Sequence, residues 1–158
     1  MCMLKIMPTI DREYFYRIDT QGYLYHDRTL LTDLKFLNFF FKRLQPNTTG
    51  LHADFPYVSP CGREMNYIAC AGTPIVFHAL EDDYLYYNHT GLNVAFDPVS
   101  LCINPRGDLF HPTGKMHGRL GAGPLYTLAG RIVETDDVYT LRWHAVQYAI
   151  PECAESLA

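Results

Sequence analysis

Phe55–Phe77 reads FPYVSPCGREMNYIACAGTPIVF, and its punctuation decides the fold class. Two apolar, aromatic-bearing runs flank a Pro60-Cys61-Gly62 turn, the grammar of a β-hairpin, and a third run, Pro74–Leu80, follows. Arg63 and Glu64 open the second run as neighbours, so on a strand they point to opposite faces and cannot pair with each other. The candidate strands here are Ala53–Val58, Glu64–Cys70 and Pro74–Leu80.

Upstream, Glu13–Ile18 (EYFYRI) and Tyr23–His26 bracket Asp19-Thr20-Gln21-Gly22, a type I turn closing a second hairpin. The one main helix expected runs from about Thr29 or Thr32 to Leu44. Leu30, Leu34, Leu37, Phe41 and Leu44 fall on a single stripe, and Gln45-Pro46 stops it. Downstream the chain reads as strand again: Tyr84–Tyr87, Leu92–Phe96, Asp108–His111, Leu125–Val133 and Val138–Ala149. Glu81-Asp82-Asp83 is taken as a solvated hairpin tip, and His117–Pro124 (HGRLGAGP) as a mobile, glycine-rich loop. The expected fold is α+β, mostly antiparallel sheet with one main helix, in one domain over residues 1–158 with subdomains 11–80 and 81–150.

An internal repeat supports two related halves. Gly22-Tyr23-Leu24-Tyr25-His26 and Gly107-Asp108-Leu109-Phe110-His111 share Gly-x-Leu-aromatic-His, 85 residues apart, and a turn-forming Asp19 or Asn104 stands three residues before each glycine. The plain alternative is that a turn glycine followed by a strand is common hairpin grammar.

Composition excludes several functions. The net charge is −4 and no basic stripe is present, which argues against nucleic-acid binding. Met1–Met7 is too short, and too soon stopped by Pro8, for a membrane span or signal core, so no membrane is expected. The five cysteines (Cys2, Cys61, Cys70, Cys102, Cys153) include no C-x-x-C, and reduced thiols are the simplest account. No metal-binding spacing occurs among the seven histidines, and the glycines match no phosphate-binding motif, so no cofactor is expected. The Asn-x-Thr triplets at Asn47 and Asn88 read as polar turns.

A set of motifs resembles a known family. It comprises Arg12-Glu13-Tyr14-Phe15-Tyr16, Arg43-x-x-Pro46-Asn47-x-x-Gly50, Phe55-Pro56, Ser59-Pro60-Cys61-Gly62-Arg63-Glu64-x-Asn66, Pro74-x-Val76-Phe77, Phe96-x-Pro98 and His111-Pro112. Together they resemble the uncharacterised protein family 0598, a domain of unknown function whose animal members are mitochondrial. The likeness runs from about Arg12 to Tyr148. This chain lacks a transit-like N-terminus, so a cytoplasmic bacterial relative is expected, or a mitochondrial matrix protein in a eukaryote. A fainter likeness is to a bacterial two-subdomain family with repeated motifs. Neither implies an activity, catalytic residue or cofactor.

Three sets of residues carry candidate chemistry. Cys61, two residues from Arg63 and with His52 or His78 as a base, suits a nucleophile; a small buried thiol in a tight turn is the ordinary alternative. Arg63, Glu64 and Arg12 suit ligand recognition, because a planar guanidinium fits anionic groups and Arg12-Glu13 repeats the Arg63-Glu64 pattern on a potential neighbouring strand. His26 and His111 hold equivalent places in the repeat and are the metal-ligand candidates. The leading function is a non-enzymatic module binding a small anionic ligand or a protein; the rival is a small hydrolase- or transferase-like enzyme using Cys61.

Overall fold

Two successive segments of the chain each form a three-stranded meander, a connection, and a second meander whose last strand returns beside the first. The computed structural model describes residues 10–114 and 116–155, so the Met1–Met7 run and Cys2 lie outside the described residues. The first segment comprises β1 (Arg12–Ile18), β2 (Leu24–His26), β3 (Thr29–Leu30), α1 (Leu34–Lys42), β4 (Gln45–Pro46), β5 (Tyr57–Cys61) and β6 (Glu64–Cys70). The second comprises β7 (Ile75–Glu81), β8 (Tyr84–Tyr87), β9 (Asn93–Ala95), a 3-10 turn (Pro98–Ser100), β10 (Cys102–Ile103), β11 (Leu109–Thr113) and β12 (Met116–Leu120). Helix α2 (Ala122–Ala129) then leads to a three-stranded sheet of β13 (Ile132–Thr135), β14 (Val138–Trp143) and β15 (Val146–Ile150).

The first sheet runs β3-β2-β1-β6-β5-β4 and the second β10-β11-β12-β7-β8-β9. Counted from its own first strand, each sheet therefore has the same order. At each centre the first and last strands lie parallel, β1 on β6 with Arg12 opposite Glu64, and β12 on β7 with Arg119 opposite Val76. The α+β class holds and most strand pairs are antiparallel, as expected; the parallel pair at each centre and the second helix, α2, are the departures. A connection of a dozen or more residues lets a last strand come back in the same direction, and both sheets have one.

Helix α1 is shorter than Thr29–Leu44. The Asp33 carboxylate accepts the Lys35 and Phe36 amide hydrogens and so starts the helix there, while Thr29–Leu30 pairs with β2 instead. Its buried face, Leu37, Phe40 and Phe41, packs on Ile18, Leu24 and Ile68 of the first sheet. The second sheet buries Ile75, Phe77, Leu85, Leu109 and Leu120 against Leu128 of α2 and Leu141 and Ile150 of the third sheet. Each such side chain contributes roughly 1.5–3 kcal/mol by leaving water. Leu44 and Tyr87 touch both clusters and join them.

The glycine-rich segment expected to be a mobile loop, and the strand expected at Leu125–Val133, are instead the end of β12, helix α2 and the short β13. Gly121 and Gly123 let α2 lie almost on β7: a Cβ on Gly123 would sit 2.3 Å from the His78 carbonyl oxygen. Small residues fixed this packing, which a count of turn-formers cannot reveal.

The reduced-thiol expectation is also corrected. Cys102 and Cys153 form a disulfide, beside a parallel bridge of Ile103 with Glu152 and main-chain bonds from Ile103 N–H to Pro151 O and Cys153 N–H to Ile103 O. The extended chain after β15 thus docks on the edge of the second sheet. The acidic tip Asp82-Asp83 is a tight two-residue turn with both residues at positive φ, and Asp83 accepts from Trp143 Nε1 and His144 Nε2 rather than from solvent alone. Among the described residues no helix is long and apolar enough to cross a membrane.

Candidate functional site

The strand alternation of the second sheet builds the floor of a cleft. On β7, Ile75 and Phe77 enter the core, so Val76 and His78 face the other way. On β12, Leu120 enters the core, which turns His117 and Arg119 to the side of Val76, and β11 adds Phe110. The first sheet supplies the roof: Thr20 and Gln21 of the β1–β2 turn, Pro46, Tyr57, and the connection Ala71–Pro74. The space enclosed is about 1330 Å³. Small-molecule pockets run roughly 300–1,000 Å³, so this open cleft has room for an extended ligand.

Three devices hold roof to floor. Asn88, buried, accepts the Val76 amide hydrogen at Oδ1 (3.2 Å) and donates from Nδ2 to Gly22 O (3.1 Å) and Pro74 O (2.8 Å). His89 donates from Nε2 to Gln21 O at 2.9 Å and stacks on Tyr23 with ring centres 3.7 Å apart. Arg119 Nη2 donates to Thr20 O. The Asn88 turn expected from sequence exists, with Asn88 and His89 at positive φ, and it serves as the clamp between the sheets.

The repeat turns out to frame this cleft. Asp19 Oδ1 accepts the amide hydrogens of Gln21 and Tyr23; Asn104 Oδ1 accepts those of Arg106 and Asp108; Gly22 and Gly107 sit at φ +88 and +87. The two copies are the same turn, but they precede the second strand of one sheet and the fifth of the other. Both turns contribute to the cleft wall, through Thr20 and Gln21 on one side and Arg106 and Asp108 on the other.

The wall is cationic although the chain is acidic. Arg106, Arg119, His78, His89 and His117 line it; Asp108 is its one acid among the described residues, and it lies 3.9 Å from Arg106. Burial, aided by the neighbouring His89, lowers the His78 pKa from 6.5 to about 4, so the ring is neutral near pH 7. Its Nδ1 accepts the His89 amide hydrogen at 3.0 Å. Burial also pushes the Cys70 thiol, next to Ala71 of the roof, up to about 11, and its Sγ donates to Gly72 O. That thiol is a poor nucleophile.

The residues singled out from sequence lie elsewhere. Cys61 and Glu64 pair across the two-residue turn of the β5–β6 hairpin, with Gly62 at φ +58. Arg63 binds Asp11 through two nitrogens, Nε–Oδ2 at 2.8 Å and Nη2–Oδ1 at 3.0 Å. Arg12 and Glu64 face each other across the parallel pair at 3.8 Å, in solvent. Glu13 accepts from His52 Nε2 at 2.9 Å. Strands β1 and β6 are thus neighbours and cross-strand Arg–Glu pairing occurs, but none of these residues lines the cleft. Among the described residues no histidine is hydrogen-bonded to Cys61. His26 packs on Tyr14 and Tyr16 of the first sheet, whereas His111 is buried in the second between Phe77 and Phe96. His111 donates from Nδ1 to Pro112 O and accepts the Asp97 amide hydrogen at Nε2, the bonding of a neutral structural imidazole. Among the described residues no three His, Cys, Asp or Glu side chains converge as a metal-ligand set.

Sequence reading passed over Arg119 and His89 altogether and treated His78 only as a partner for Cys61. A lone arginine inside the glycine-rich HGRLGAGP was the available signal.

Two solved structures share the fold. A DUF1285 family protein from Silicibacter pomeroyi DSS-3 superposes with a TM-score of 0.64 at 12% identity, over 92% of this chain and 84% of that one. A DUF1285 family protein from Shewanella baltica OS155 gives 0.52 at 17% identity, over 72% of this chain and 88% of that one. At such identities the likeness is one of fold alone. A family model described as Domain of unknown function (DUF4505) matches residues 7–125, a span that carries both six-stranded sheets and the whole cleft wall. The chain belongs to the DUF4505 family.

Proposed function

We propose that the protein is a non-enzymatic ligand-binding module whose ligand lies in the cleft between the two six-stranded sheets. The observation that carries this reading is Arg119: a half-buried guanidinium in the cleft wall, held by main-chain carbonyl oxygens, with no carboxylate partner among the described residues. Such a guanidinium has donors left to offer an anionic group of a ligand. The stacked His89 and His78 rings, with Phe110 and Tyr57, supply flat surface. At the other candidate end, Arg63 is already paired with Asp11 and Arg12 with Glu64, which leaves less for a ligand to satisfy. The common strand order supports reading the two sheets as related halves that meet at the cleft.

The test is a metabolite screen by thermal shift, with each hit mapped by amide chemical-shift perturbation on the full chain. Hits that move the signals of His78, His89, Tyr57 and Thr20 are expected. Hits confined to Arg63 and Asp11, or none that perturb the cleft, would sink the reading.

A further inference from the structure

Arg119 and His78 both line the cleft: Arg119 is opposite Val76 in the parallel pair, and His78 stands one residue beyond the last paired residue of β7, Phe77, at a bulge against β8. The guanidinium offers five N–H donors. One bond goes to Thr20 O and a long one, 3.5 Å, to Leu120 O. The remaining donors have no protein acceptor among the described residues.

His78 adds a donor of a different kind. Because Nδ1 accepts the His89 amide hydrogen, it carries no proton, and the neutral ring must carry its proton on Nε2. Protonating Nδ1 would set N–H against N–H, which agrees with the low pKa of this ring, about 4. Among the described residues Nε2 has no protein partner. His78 is therefore unsuited to act as a base near pH 7, and suited to donate one hydrogen bond. The other titratable groups of the wall are His89 stacked on it, His117 beside Arg119, Arg106 with Asp108 across the floor, and Tyr57 of the roof. Of these, the single acid is adjacent to a cation.

Resting on the cleft reading above, we infer that Arg119 and His78 form the oxyanion-recognising end of the cleft, holding a phosphate or carboxylate group of the ligand by one charged and one neutral donor. Both donors are fixed before the ligand arrives, Arg119 by Thr20 O and His78 by its tautomer, so little ordering is needed on binding. A cation in the same place would meet the like charge of the Arg119 guanidinium. The site selects against it.

Imidazole nitrogen–proton correlation spectra of the intact protein, titrated with inorganic phosphate and with citrate against sodium chloride of equal ionic strength, test this. The His78 ring should show the Nε2–H tautomer from pH 5.5 to 8. Phosphate or citrate should shift its Nε2 signal saturably, where chloride does not. Arg119→Gln should weaken the fitted affinity by about tenfold or more. His78→Phe should weaken it several-fold, and His78→Gln, which keeps a side-chain N–H donor, should recover part of the loss. Unchanged His111 ring signals in each variant report that the second sheet is intact. An Nδ1–H tautomer overturns the inference, as do failure of both anions to perturb the ring or affinities indifferent to Arg119→Gln. If neutral screen hits occupy the cleft while neither anion does, this inference falls and the cleft reading stands.

Discussion

Replacing Gly123 by Ala should destabilise the protein, against the usual sign for a helix. In an unobstructed helix interior, Gly→Ala stabilises by about 0.5–1 kcal/mol. Here the added Cβ would lie 2.3 Å from His78 O and 3.3 Å from the carbonyl carbon, against an ordinary contact of about 3.5–4 Å. The nearest atom is main chain of a central strand, and it cannot rotate away. Helix α2 is pinned by fully buried Leu128 and by the Gly121 N–H to Phe77 O bond at 2.8 Å, so it would have to lift by about 1 Å along its first turn. Overpacking of this sort costs about 1–3 kcal/mol, which outweighs the helical gain. A net loss of about 1–2 kcal/mol lowers Tm by roughly 2–8 °C for a chain of this size. Gly130, with nothing within 4 Å of its Cβ and φ −74, is the matched control: Gly130→Ala should raise stability by about 0.4–1 kcal/mol. Urea unfolding with an unchanged m-value measures both. A Gly123→Ala variant as stable as wild type would refute the close approach of α2 to β7.

Stability should also fall with acid through His78. Its pKa is about 4 in the fold and 6.5 outside it, so the unfolded chain takes up a proton that the fold refuses. The contribution is complete above pH 6.5 and is lost as pH drops toward 4. The 2.5-unit difference sets a ceiling of about 3.4 kcal/mol, and access of water to the half-buried ring reduces this to about 1–2 kcal/mol. His78→Gln should flatten the urea-midpoint profile between pH 6.5 and 4.5, leaving the slope that His111, lowered chiefly by burial, contributes in the same direction; parallel profiles for variant and wild type would rule the assignment out. The Cys102–Cys153 bond spans 51 residues, and constraining so long a loop in the unfolded chain is worth up to about 4 kcal/mol. The double variant Cys102→Ser, Cys153→Ser should lose about 2–4 kcal/mol, and thiol titration of the denatured, unreduced chain should find these two cysteines blocked. Free thiols at both would contradict it.

What the sequence disclosed was local. The β5–β6 hairpin, the Asp19–Gly22 turn, the α1 helix and the Asn88 turn are all written in short-range grammar, and each forms. The hairpin, however, turns at Gly62-Arg63 with Pro60 and Cys61 paired in β5, and Leu30 and Leu34 of the expected apolar stripe are exposed. The return of β6 beside β1 depends on contacts 52 residues apart, Arg12 with Glu64, and no local pattern encodes such pairing. Helix α2 was hidden because Gly121, Gly123 and Pro124 look like loop residues until the carbonyls they lie against are known. The cleft was invisible for the same reason. Its wall draws single residues from Thr20 to Gly123, and Arg119 gains meaning only beside Thr20 and His78. The repeat did point there, since both copies of the turn frame the cleft, although the strands that follow hold different places in their sheets.

The return of a last strand to its first also sets a timetable for synthesis. Chains fold from the N-terminus as they are made. Until Glu64–Cys70 leaves the ribosome, one edge of β1 has no partner, and Phe15 lacks the Tyr67 ring it later stacks on. At Cys70 the first sheet can close without any help from the second. The second then repeats the wait, with β7 open on one side until Gly118–Leu120 arrives. Only when Cys153 has emerged can the final covalent link be made. Nascent chains halted once Cys70 has cleared the ribosome should therefore already resist proteolysis over β1–β6, and a pause placed before Glu64 emerges would prolong the interval in which an unpaired, aromatic strand is open to other chains.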